Sequence, residues 1–141
     1  MKHKGSISQT YLRRDREVLP ELYRRAKRVA EYPTSNDSLF RIMADLPVDR
    51  YYIADDAAYE YVRKRHLHGF RKKYRTPQKQ RLLESLYEEV TRMMGEERYR
   101  GLSLKTATVI ALMRPAPCVG LSPAGIDKIF SHSRAKGHEK V

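Results

Sequence analysis

The chain contains no tryptophan and a single cysteine, Cys118, among its 141 residues. One thiol cannot close an internal disulfide, so packing and hydrogen bonding must hold the fold, and a reducing, cytoplasmic setting is the expectation. No apolar run approaches the roughly 18 residues of a membrane-spanning helix. The opening "MKHKGSISQTYLRRD" is basic but has no apolar stretch behind its first charges, so no secretory signal is expected. No second cysteine joins His66 and His68 in a zinc spacing, and two histidines at i,i+2 do not share a helix face. Neither a glycine-rich phosphate loop nor a Gly-x-Ser-x-Gly elbow occurs. Asp55 and Asp56 serve more economically as a helix start than as paired catalytic acids. These absences lead to an expectation of a non-enzyme without metal or cofactor.

Positive charge is what the chain has in excess. Lysine and arginine number 29 against 17 aspartates and glutamates, a formal net charge of +12. Such a balance favours anionic partners, nucleic acid first and an acidic protein second. The charge is concentrated. "RKRHLHGFRKKYRTPQKQR", residues 63–81, holds nine cations and no acid, whereas residues 38–62 and 82–102 are each net acidic. Alternating blocks of this kind create a directed field rather than a uniformly positive surface.

Apolar residues make up 40% of the chain and recur at helical spacing. "SQTYLRRDREVLPELYRRAKRVAEY" reads as a first helix that Pro20 either kinks or divides, a second helix then starting near Leu19. Ser35 or Asn36 caps a short helix through "SLFRIMADL", which Pro47 closes. "RYYI" reads as extended, and Asp55 caps a helix that ends at Gly69. Thr76 caps and Pro77 opens the longest amphipathic stretch, which stops at Gly95. Ser103 caps a helix ended by Pro115; "CVGL" is extended; Ser122 caps and Pro123 opens the last helix. The fold class is therefore all-α, with five or six helices and at most one minimal two-stranded β element from "RYYI" and "CVGL".

Residues 39–62 lie against 107–130 at an offset of 68 residues, both reading helix, proline, short strand, capped helix. This internal echo sits within one helical domain, 1–130, and residues 131–141 carry no core pattern and read as a flexible basic tail.

The basic connection between the two similar halves is the candidate functional element. Arg63, Lys64 and Arg65 finish a helix; Arg71, Lys72, Lys73 and Arg75 occupy a turn; Lys79 and Arg81 begin the next helix. Several cations beside a helix start at Thr76 suit phosphate groups. Tyr74 adds an aromatic ring that either stacks on a base or packs on the core, and Phe70 is expected to be buried. Arg24 and Arg28 form a second basic surface. Glu84, Glu88 and Glu89 oppose insertion of the 77–94 helix into a groove, so clamping of phosphates by the helix-turn-helix-like connection is the favoured reading. The expected role is an accessory or regulatory nucleic-acid-binding protein, DNA ahead of RNA. The alternative is a structural or protein-interaction module with an acidic partner or a homodimer interface.

Overall fold

The computed structural model describes residues 8–69 and 73–139, the last seven of these as backbone only. The fold is all-helical. A first rod is assembled from α1 (Gln9–Arg13), a π-helical turn (Arg14–Val18) and α2 (Leu19–Ala30), which follow one another without a break. Five further helices complete it: α3 (Asn36–Asp45), α4 (Asp55–His68), α5 (Pro77–Met94), α6 (Leu104–Leu112) and α7 (Pro123–Glu139), with a 3-10 turn at Glu97–Tyr99.

Local chemistry explains where most helices start. Ser35 accepts the Ser38 N–H at 3.2 Å, Ser103 that of Thr106 at 3.1 Å and Ser122 that of Gly125 at 3.0 Å, each satisfying a donor the helix itself cannot. Two expected caps differ. Ala54, not Asp55, is the N-cap of α4, and Asp55 is its first helical residue; the Ala54 N–H is instead taken by the Tyr11 hydroxyl at 3.2 Å. Thr76 does hold the N-cap position of α5, with extended backbone, but its hydroxyl makes no capping bond. At the other ends, Gly69 closes α4 in the left-handed conformation at φ 64°, and Gly95 follows α5.

As the second reading of Pro20 expected, a helix starts at Leu19. Pro20 lies in the first turn of α2, where its missing N–H is tolerated, and the π-helical turn before it absorbs the change in register: the Leu19 N–H reaches back to the Arg14 carbonyl.

The expected two-stranded element is absent: no strand forms among the described residues. Val48 and Ala116, each soon after a proline, exchange N–H and carbonyl in one isolated antiparallel bridge, both bonds 3.0 Å long. "RYYI" and "CVGL" lie just beyond it and stay irregular, with side chains of both in the core. Tyr51, Tyr52 and Ile53 are buried, as are Cys118 and Val119.

The helices interlock around that core. α2 packs on α3 and α5 on α6, while α3 takes α7 and α4 takes α6. Each later helix thus crosses to the opposite half of the chain. Phe130 of α7 stands edge-on to Tyr23 and Phe40, with ring centroids 5.6 and 5.4 Å away. α7 continues as helix through Glu139, across residues that the sequence pattern left as a tail.

Candidate nucleic-acid interface

The segment 63–81 comprises the end of α4, a connection and the first turns of α5. Arg71, Lys72 and Phe70 lie outside the described residues. The others divide according to what their side chains touch.

Arg65 turns inward. Its guanidinium lies 4.4 Å from the centre of the Tyr87 ring, donates to the Tyr61 hydroxyl at 3.2 Å and sits 4.0 Å from Glu84. With 21% of its side chain exposed, it joins α4 to α5 rather than facing a ligand. Tyr74 is also committed to packing. Its ring leans on Tyr61 at 6.4 Å, its N–H donates to Gln80 at 2.8 Å, and burial pushes its phenol above the ordinary value. This seats the connection against α5.

Two cations are exposed but paired. Lys64 meets Glu60 at 2.9 Å, and Arg81 meets Asp45 of α3 at 3.3 Å. Arg63 is half-buried in a groove lined by Asp55, Asp56, Tyr59 and Glu60. Lys73, Arg75 and Lys79 are exposed and have no ion pair among the described residues; the Lys79 ammonium lies 4.8 Å over the Tyr74 ring. These three surround the start of α5, whose first turn contains no acid.

On the first rod, Arg24 donates to Glu21 at 2.7 Å and Arg28 approaches the same carboxylate at 3.7 Å. The bond from Arg24 holds the Glu21 carboxyl below its ordinary pKa. Both arginines remain exposed, but both lean on the single carboxylate of Glu21. The most connected charges lie elsewhere: Arg114 bridges Glu89 and Tyr99, and Arg92 bridges Glu89 and Glu96. That network ties the end of α6 to α5 and the 3-10 turn, and is structural.

The sequence reading overlooked Lys128 and His132 on α7. Both are exposed, and at the 68-residue interval they correspond to Glu60 and Lys64 of α4. The echo between the halves was the signal that could have found them.

Among the described residues no group of three or more His, Cys, Asp or Glu side chains is placed to hold a metal ion. Among the described residues no helix is long and apolar enough to cross a membrane. The lone Cys118 is buried and directs its thiol to the Gln78 carbonyl at 3.4 Å. No family model matches the chain, and no curated protein or solved structure matches it.

Proposed function

We propose that the protein binds nucleic acid, DNA ahead of RNA, by holding backbone phosphates at the α4–α5 connection. The observation that carries this reading is the group Lys73, Arg75 and Lys79, exposed and without an ion pair among the described residues, around an acid-free helix start. Phosphate binding needs several cations within reach of one another, and each neutralised phosphate releases condensed counterions. The net charge of +12 adds long-range attraction. Tyr74 is partly buried against Tyr61 and bonded through its N–H to Gln80, and a ring engaged in packing supports paired over single strands.

Fluorescence anisotropy with labelled duplex DNA, single-stranded DNA and RNA, over a salt series, tests the reading. The slope of log affinity against log salt should fall by about one for each of Lys73→Gln, Arg75→Gln and Lys79→Gln. Arg100→Gln, at an exposed arginine paired with Glu97, serves as the control. A folded protein that binds none of the three probes at low salt would refute it. Capture of polyglutamate in preference to every nucleic acid would transfer the surface to an acidic protein partner.

A further inference from the structure

The halves of the molecule share more than an order of elements. α1, α3 and α4 open at Gln9, Asn36 and Asp55; α5, α6 and α7 open at Pro77, Leu104 and Pro123, each 68 residues later. The bridged residues Val48 and Ala116 obey the same interval, and their two hydrogen bonds are reciprocal. Residues at the same place in two units exchange identical bonds when a twofold axis passes between them. The packing agrees, since α3 on α7 and α6 on α4 are the same contact seen from either half. Burial agrees as well: Met43 and Ala111, like Ala58 and Ile126, occupy corresponding positions and are all fully buried.

Under such an axis, corresponding points of α4 and α7 stand at the same height along it. The corresponding position pairs, one turn apart, carry Glu60 and Lys64 on α4 and Lys128 and His132 on α7, all exposed. Each helix therefore carries one exposed lysine within this turn, one turn apart in register: Lys64, which pairs with Glu60 at 2.9 Å, corresponds to His132, and Lys128 corresponds to Glu60. A single nucleic-acid strand has a direction and no twofold axis. A duplex has antiparallel backbones related by dyads, and proteins with twofold symmetry align their axis with one of them. Resting on the nucleic-acid reading above, we propose that the chain is a fused pseudo-dimer that grips one duplex about its dyad, α4 facing one backbone and α7 the other.

The test compares the wild-type chain, Lys64→Gln, Lys128→Gln and the double variant. Each is titrated with a duplex and a single strand of equal length over a salt series. Both substitutions are at exposed residues, and circular dichroism verifies the fold of each variant. Each single change should lower the duplex salt slope by about one, and the double change by about two. The duplex should bind more tightly than the single strand. If only Lys64→Gln lowers the slope, or neither does, or the single strand binds better, the twofold grip is wrong while nucleic-acid binding stands. If the folded wild-type chain binds neither probe at low salt, the underlying reading itself fails.

Discussion

Replacing Gly120 with alanine separates two costs that usually arrive together. Gly120 has φ +86°, and a Cβ there would lie 2.6 Å from Cδ2 of Leu82. Gly101 has nearly the same backbone, φ +87°, but a Cβ on it would meet nothing within 4 Å. Gly101→Ala therefore reports the left-handed backbone alone, about 1–2 kcal/mol. Gly120→Ala adds a collision in the core, because Leu82 is 2% exposed and cannot swing into solvent. Overpacking of that kind costs about 1–3 kcal/mol, so the total is about 2–5 kcal/mol. In urea, with a slope of about 1–3 kcal/mol/M for small proteins, the midpoint of Gly120→Ala should fall about 1 M below that of Gly101→Ala. Circular dichroism at equilibrium measures both. Adding Leu82→Ala to Gly120→Ala should be less harmful than the sum of the separate changes, since the cavity receives the new methyl group. Equal midpoints for the two glycine variants would refute the reasoning, because it assigns the difference to Leu82. The result also bears on the interface: Leu82 seats the turn of α5 that carries Lys79 and Arg81.

Three further outcomes follow from individual contacts. Ser35→Ala and Ser103→Ala should each lower unfolding free energy by about 1 kcal/mol, whereas Thr76→Ala, lacking a capping bond, should cost a few tenths at most; urea titration distinguishes them. Burial and the hydrogen bond donated to Asp49 push the Tyr52 phenol up to about 12. Its folded pKa lies above the unfolded value near 10, so this stabilisation is complete below about pH 10 and lost as the pH rises towards 12. Tyr52→Phe should flatten that part of the alkaline decline in thermal midpoint. Arg65→Ala should destabilise the fold by about 1–2 kcal/mol through lost packing on Tyr87, yet leave the nucleic-acid salt slope unchanged; a slope change as large as that of Lys73→Gln would place Arg65 at the ligand instead.

Helix starts and ends were readable where one side chain or one backbone preference decides them. Ser35 and Ser103 bond their own N-termini, Pro77 fits a first turn, and Gly69 takes the left-handed terminus. Such contacts are local, so the sequence contains both partners. The π-helical turn before Pro20 was not legible, because it depends on how a whole rod keeps its apolar side on α3. The N-cap of α4 moved to Ala54, whose own N–H goes to the Tyr11 hydroxyl 43 residues away, while Asp56 accepts the Ala57 N–H. The bridge appeared at Val48 and Ala116 rather than in the β-branched and aromatic residues that followed, a pairing between distant residues that no local pattern displays. At the candidate site, the position of the charge run was legible and the fate of each cation was not. Arg65 turned inward because Tyr61, Tyr87 and Glu84 converge on it from two helices, a convergence no spacing rule encodes.

This division of cations also changes what the charge run can deliver. Lys64 and Arg81 have carboxylate partners, but both pairs are exposed and worth about 0–1 kcal/mol in water. A phosphate offers charge-assisted bonds of greater strength, so these side chains can exchange a carboxylate for a phosphate at little cost. Arg65 cannot make the same exchange, because leaving the Tyr87 ring and the Tyr61 hydroxyl would forfeit packing and a hydrogen bond. Under the proposed reading, Lys73, Arg75 and Lys79 would meet the phosphates directly, and Lys64 and Arg81 would join them by exchanging their carboxylates. The segment's formal charge overstates its grip by the cations the fold has used. Its unpaired members alone understate it by those that an incoming phosphate can release.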